Sequence, residues 1–475
     1  MTASTAAFSP ALPLIADVVI VGAGLAGYCA ALEAAATGAR VVLLEKQLAG
    51  GGSTVLSGGF MAFADTPMQA DAGLHDDGAL LWRDLRDVGG PEADEALLAV
   101  YVREQRSLYD WLLAHGVVFH ALEHSAGQSV ARSHQTHAQA LIDALAAALQ
   151  RHTNATVMTG ASLRALTRRE AGAPVTGVTF TKDGEQHTLT CRGGVVLTSG
   201  GFSRSETLLS LFAPAQAGAL RIGGAGNTGD GLLQAWKLGA GLRDVGQIRG
   251  TFGTHPGCSA ERHEILLAFY LGAIIVNLQG RRFIDESISY KQLGDAALQQ
   301  SQGLAFQIFD QQVMAQSAAG VPLFDLQQAL DRGLLKQATT LIDLARDCGL
   351  DAEALSDTVA RYNAGVDAGD DAFGRDGLCH HAGQRTRIDR APFYAYLSTT
   401  VVLATYAGLD VNAGARVRDV DGEVIDGLYA AGEITGGFHG RSYMTGTSLG
   451  KAGIFGRIAG GNAARRAVAQ AGPTA

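Results

Sequence analysis

The chain is poor in cysteine: five stand in 475 residues, Cys29, Cys191, Cys258, Cys348 and Cys379, and none forms a CxxC, a CxxCH or a zinc-like cluster. This scatter argues against a disulfide framework, covalent haem and structural zinc, and it suits a reducing cytoplasm. Positive charge is also short. A net charge of −9 argues against nucleic acid as a partner. Long uninterrupted apolar runs are missing as well. Residues 11 to 36 come nearest, but Asp17 and Glu33 interrupt them and no basic segment precedes them, so neither a membrane span nor a signal peptide is expected. The chain shows no internal repeat and no low-complexity tract.

What is present points to a folded protein with many close backbone approaches. Hydrophobic residues make up 47% and charged residues 17%, the balance of a globular chain, and the length predicts two or three domains. The 62 glycines predict tight turns and backbone lying against a ligand. Residues 17 to 45 read DVVIVGAGLAGYCAALEAAATGARVVLLE. A buried strand at 17–21, a helix at 25–36 stopped by Thr37 and Gly38, and a second strand at 40–44 make a βαβ unit. From 67 to 149 the pattern turns helical. Between 157 and 198 short β-rich runs around a Lys182-Asp183-Gly184 turn predict an antiparallel meander that returns to the parallel sheet. The middle, from about 249 to 390, mixes short strands (IIVN, AFQIF) with helices and carries no nucleotide motif. The tail ends in a strand, DGLYAAGEI, and a long helix from Ser448 onward.

Gly22, Gly24 and Gly27 form G-x-G-x-x-G directly after a strand and at the start of a helix. The three glycines serve a tight turn, close approach of a pyrophosphate and close packing of helix on strand. Glu45 follows 18 residues after Gly27, where a carboxylate can accept hydrogen bonds from ribose hydroxyls and disfavours a 2′-phosphate. The stretch GGGSTVLSGG at 50–59 then offers hydroxyls and free amides, which suits a flavin dinucleotide better than a nicotinamide one.

At this point the chain resembles the fumarate reductase and 3-ketosteroid dehydrogenase superfamily of FAD flavoproteins. The resemblance runs over nearly the whole length, through VVIVGAGLAG, GGST…SGG, DTPMQADAGLHDD, LTSGGFSRS, NTGDG, GRRFIDE, GLYAAGEITGGFHG and SLGKAGIFGRIAGG. It implies an α/β fold: a discontinuous, Rossmann-like FAD-binding domain at 1–250 and 395–475, with an inserted α+β cap at 251–394. It also implies FAD contacts at Gly22, Gly24, Gly27, Glu45, Lys46, Ser53, Thr54, Gly58, Gly59, Asp230, Glu433, Ser448 and Leu449. Ser448 and Leu449 would open the last helix and aim its amides at the flavin pyrimidine, where negative charge develops on reduction.

The superfamily hosts several reactions, so the fold alone does not choose one. In its fumarate reductases a proton-donating arginine stands four residues after the glutamate of G-x-R-F-x-x-E, and here that position is Tyr290. A second arginine belongs in the C-terminal G-x-N-R loop, and here the loop GRSYMTG has Tyr443. The histidine expected before T-x-G-G is absent from LATYAGL, and only His255, in THPG, matches a substrate-binding histidine. Two tyrosines suit a neutral ketone, as in the ketosteroid dehydrogenases. Tyr290 is read as base or proton relay and Tyr443 as carbonyl-polarising donor, with Thr445 and the Gly446 amide as helpers; the two tyrosine roles can be exchanged.

The expected reaction is therefore desaturation of the bond next to a ketone in a cyclic substrate, a 3-oxosteroid or a smaller cyclohexanone-type ring. The electrons would leave to a quinone or an electron carrier. An enoate reductase of the fumarate type and a flavin electron-transfer protein without its own substrate are the alternatives.

Overall fold

The computed structural model describes residues 15–258, 264–321, 323–378 and 383–471, so Cys379 lies outside the described residues. Strand Ile15–Val21 is buried over all but its first residue, which suits the interior of a parallel sheet covered on both faces. It pairs in parallel with Val41–Leu44 on one side and with Glu185–Leu197 on the other. Ala155–Met158 and Val424–Ala430 extend the sheet in the two directions, so the far end of the chain returns beside its beginning. The predicted helix is present as Leu25–Ala36. The predicted meander is present too: Ser162–Arg168, Val175–Lys182 and Glu185–Leu197 pair antiparallel in order, and the last strand returns to the parallel sheet.

The closing helix, Thr447–Ala471, packs on Leu25–Ala36 so tightly that the contact is backbone on backbone. A Cβ on Gly456 would come 2.5 Å from the Ala26 carbonyl oxygen, and one on Gly460 would come 2.1 Å from that of Ala30. Two glycines one helical turn apart thus let the last helix lie against the first. Between 67 and 149 the reading was too uniform. Helices Pro67–Asp71, Gly78–Gly89, Glu95–Ala114 and Ala138–Gln150 share that segment with strands Ala121–Glu123 and Ser133–Gln135, which join Phe60–Ala62 in a small sheet. Three-residue strands are too short to register as alternation beside amphipathic helices.

A second sheet is built on the long strand Phe393–Val402. Thr251–Thr254, Ala305–Asp310 and Leu335–Ala338 pair with it antiparallel and Leu220–Arg221 in parallel, while Ile274–Asn277 joins the outer edge of Ala305–Asp310. Its two faces feed separate apolar cores. Ile275, Phe309 and Tyr396 enter one, and Ile274, Ile308 and Ala395 the other. This two-sided burial explains why IIVN and AFQIF read as continuous apolar runs. The two sheets have their own cores, and strand Phe393–Val402, central to the second, runs across residue 395; we propose domain boundaries near residue 250 and within that strand.

Candidate active site

One large cavity, about 1660 Å³, runs from the first glycine turn to the second sheet. Pockets for a single drug-sized ligand occupy roughly 300–1,000 Å³, so there is room for a dinucleotide and a substrate together. At one end lie Gly22, Gly24, Glu45 and the amide-rich start of helix Leu25–Ala36. Gly22 has φ +107°, and a Cβ on it would stand 2.4 Å from the Thr198 carbonyl oxygen. A Cβ on Gly27 would stand 1.9 Å from the Gly22 carbonyl oxygen, so Gly27 serves packing and is not a cavity wall. Only at Gly24 does the missing Cβ leave room: its nearest neighbour would be Thr54 Oγ1 at 3.7 Å. An anion can therefore approach the helix start there.

Polar side chains around this end hold one another in place. Glu45, buried, accepts from the Ala23 and Gln47 amides at 2.8 Å each. Lys46 Nζ donates to Asp230 and Thr228 at 2.6 Å each across the cavity edge. Thr54 Oγ1 accepts from the Leu25 amide at 3.2 Å, and Ser53 Oγ accepts from Asn227 at 2.9 Å and from the Gly224 amide at 3.1 Å. Glu433 accepts from Asn227 Nδ2 and from the Thr405 amide, both at 3.0 Å, and burial pushes its carboxyl up from the usual range. Gly58, Ser448 and Leu449 also line the cavity, whereas Gly59 backs the wall, its missing Cβ facing the Thr136 carbonyl oxygen at 1.8 Å.

The other end is aromatic. Tyr290, Tyr406 and Tyr443 all line it. Tyr406 and Tyr443 stack with ring centres 4.8 Å apart and 11° between planes, and the Tyr406 hydroxyl donates to the Tyr443 oxygen. The Tyr443 oxygen also accepts from the Gly446 amide at 3.1 Å and from that of Ser448. Burial still raises the phenol of Tyr443, while these donors pull it down; burial drives Tyr406 well above the ordinary value. Tyr406 has φ +51°, a left-handed conformation that bulky residues seldom adopt, and the stack on Tyr443 accompanies it. His439 packs its edge on the same pair, with ring centres 4.7 Å from Tyr406 and 5.4 Å from Tyr443. Its Nε2 has no hydrogen-bond partner among the described residues, and burial with two nearby lysines keeps the imidazole neutral.

A buried clasp fixes Tyr290. Helix Tyr290–Leu298 starts there, capped by Ser289. Glu286, one turn before it and fully buried, accepts from Arg282 at 2.6 and 2.8 Å, from Arg375 at 3.3 Å and from the Ile275 amide at 3.0 Å. Arg282 reaches on to Asp371 at 2.7 Å, and Arg375 donates to the Phe269 and Ala273 carbonyls at 3.1 and 3.0 Å. The GRRFIDE run is thus an anchor for the tyrosine that follows it.

Residues 17–449 match the model of the FAD binding domain family, which covers most of the chain. The chain belongs to that family. It is 30% identical to the probable fumarate reductase Ifc3 of Shewanella frigidimarina over 460 residues, 95% of this chain and 75% of that protein. It superposes on the open conformation of a flavocytochrome c3 fumarate reductase with TM-score 0.82 and 28% identity, covering 96% of this chain and 79% of that one. It also superposes on the 3-ketosteroid-Δ4-(5α)-dehydrogenase of Rhodococcus jostii RHA1 with TM-score 0.75 and 26% identity, covering 95% and 97%. The expected superfamily, α/β fold and FAD cofactor are borne out by these matches.

The flavoprotein's own residues fit FAD: the cradle at Gly24, the carboxylate of Glu45 and the cavity volume suit a dinucleotide held at a helix start. Among the described residues no helix is long and apolar enough to cross a membrane. Two of the expected site residues stand off the described cavity lining. His255 is not among the cavity-lining residues: its ring packs near Tyr396 at 5.6 Å, and its Nδ1 accepts from the Gly257 amide at 3.1 Å. Gly446 is also outside the described lining, and its amide donates to the Tyr443 hydroxyl oxygen. Thr445 does line the cavity. Three further residues gather at this end: Tyr406, His439 inside a quoted motif, and Lys291, beside Tyr290. The phrase YK at the start of a helix was the available signal for Lys291, since a lysine in a first turn opposes the helix dipole.

Proposed function

We propose that this FAD-dependent oxidoreductase desaturates the Cα–Cβ bond next to a ketone in a cyclic substrate, a 3-oxosteroid or a smaller cyclohexanone-type ring. The observation that carries this is the convergence of Tyr290, Tyr406 and Tyr443 on a cavity whose described lining residues offer no guanidinium free for a carboxylate. Among the described lining residues the only arginine is Arg204, and its Nε and Nη2 both donate to the Gly223 carbonyl, at 3.1 and 2.9 Å. A dicarboxylate would leave its charges poorly compensated here, whereas a ketone asks only for hydrogen bonds.

Tyr443 donates its own O–H to the ketone oxygen. Its oxygen is backed by the Gly446 and Ser448 amides and by Tyr406, so charge drawn toward it as the enolate develops is stabilised by dipoles already in place. Tyr290 takes the α-proton as base. When bound, FAD would be held by Gly24, Glu45 and the neighbouring polar groups and would supply the acceptor for the β-hydride. The electron pair of the broken α C–H bond becomes the new double bond, and a quinone or soluble carrier then removes the two electrons. The scattered cysteines favour a cytoplasmic setting.

The test is anaerobic mixing of the yellow protein with 3-oxosteroids and substituted cyclohexanones. Bleaching of the flavin band by one of them supports the reading; turnover of fumarate-type acids alone, with a reduced dye as donor, refutes it. A second reading, an enoate reductase, keeps one observation: the cavity holds a buried ammonium, Lys291, that a single carboxylate could meet, and similar proteins include reductases.

A further inference from the structure

Lys291 is the second residue of helix Tyr290–Leu298, and only 6% of it is exposed. Both facts work against a cation. The helix start carries the positive end of the dipole, and burial removes water from the charge. Nζ donates to two neutral oxygens, Thr251 Oγ1 at 2.9 Å and the Arg249 carbonyl at 3.1 Å. The carboxylates that face it act from a distance: Asp295, on the same helix, and Glu433, across the cavity. Each is engaged elsewhere, Asp295 by Gln216 and Arg249, Glu433 by Asn227 and the Thr405 amide. His439, also close enough to feel this charge, is neutral.

What the ammonium does have beside it is two phenol rings. Nζ lies 5.7 Å from the ring centre of Tyr290 and 5.4 Å from that of Tyr406, and the residue lines the cavity. We propose that Lys291 is the positioning cation of this site, whose charge favours the ionised form of Tyr290 and so lets a phenol act as base near neutral pH. This rests on the ketone-desaturation reading of the site. An opposite charge within about 4–6 Å of a titrating group lowers its pKa by roughly one to three units. A free phenol titrates near about 10 and would be too rarely ionised at neutral pH to serve. Burial also holds the ammonium itself down at about 8, so the lysine and the phenol lose their protons as a coupled pair. A costly cation with no ion-pair partner in hydrogen-bond reach among the described residues, set beside the phenol that follows a buried clasp, is a placement that proton-transfer chemistry explains.

The test uses the FAD-loaded protein as wild type, Lys291→Met, Lys291→Gln, Lys291→Arg and Tyr290→Phe. The ultraviolet absorbance of tyrosinate is followed against pH, and the rate of flavin bleaching by the best ketone is followed in parallel. The wild type should show one tyrosinate that forms early and that is missing in Tyr290→Phe. In Lys291→Met and Lys291→Gln this step should move up by about one pH unit or more, and Lys291→Arg should restore most of it. The alkaline-rising limb of kcat should move with it, giving about a tenfold loss at neutral pH with KM little changed. An unshifted tyrosinate step in both neutral variants that keep FAD overturns the proposal, as does an unchanged kcat limb. If the step shifts but no ketone bleaches the flavin, the electrostatic assignment stands and the ketone reading fails; if ketones bleach normally and the step does not shift, the reverse holds.

Discussion

The two ends of the cavity are built on opposite principles. At the dinucleotide end the charged groups are matched: Glu45 accepts two backbone amides, and Lys46 pairs with Asp230. At the tyrosine end burial works against the charges: Lys291 is brought down to about 8, as is Lys451 of the closing helix, and His439 is kept neutral, its Nε2 without a hydrogen-bond partner among the described residues. The difference separates holding from reacting. A binding site gains from satisfied groups, whereas acid and base chemistry needs groups whose protonation is poised to change.

The sharpest way to test that contrast is to alter the tyrosine end alone. Tyr290→Phe should lower kcat by roughly 10²–10⁴-fold, the usual worth of a positioned proton-transfer group, while the flavin spectrum and FAD content stay as in the wild type. Loss of FAD in that variant would show that the two ends are not separable.

The anchor below Tyr290 gives the next largest effect. Glu286→Ala leaves Arg282 and Arg375 buried without their shared carboxylate and should cost about 3–5 kcal/mol of stability, read from thermal or denaturant unfolding. Most of that loss belongs to the second sheet's core, so FAD retained by the folded fraction would sharpen the division between the two ends.

The lysines predict a pH dependence. Both have folded pKa values, about 8, below the ordinary lysine value, so the unfolded chain binds more protons between about pH 8 and 10.5. Their joint contribution therefore opposes folding at neutral pH and is relieved as pH rises through that window, by up to about 3 kcal/mol for each lysine. Unfolding measured across the window in the wild type and in Lys291→Met should show a shallower rise in the variant. Smallest is Lys46→Met: its pair with Asp230 is partly exposed, and the loss should be at most about 1 kcal/mol, seen as a few-fold weaker FAD binding.

The same contrast explains what the sequence disclosed. The helix Leu25–Ala36, its glycine turn and the carboxylate of Glu45 follow one another within 30 residues, so a local pattern is enough to place them. The meander and the closing helix were legible for the same reason. The tyrosine end is assembled from positions 290, 291, 406, 439 and 443, brought together by the second sheet and the C-terminal loop, and no local period marks them. Tyr290 and Tyr443, which both line the cavity, stand out in the sequence because a family pattern supplies the missing long-range information. Lys291, Tyr406 and His439 had no such pattern, and His255, which had one, turns to its own loop in the structure. The glycines at 456 and 460 show the intermediate case: their spacing is visible, but the partner carbonyls at Ala26 and Ala30 are not.

The central proposal is that this flavoprotein accepts a hydride from the β-carbon of a cyclic ketone and hands the α-proton to Tyr290. Anaerobic stopped-flow of the wild type and Tyr290→Phe with a panel of cyclic ketones measures it most directly. The account predicts flavin bleaching by at least one ketone in the wild type and bleaching slowed at least 100-fold in the variant. Bleaching at equal rates in the two proteins, or reoxidation of the reduced flavin by enoates with no ketone active, would contradict it.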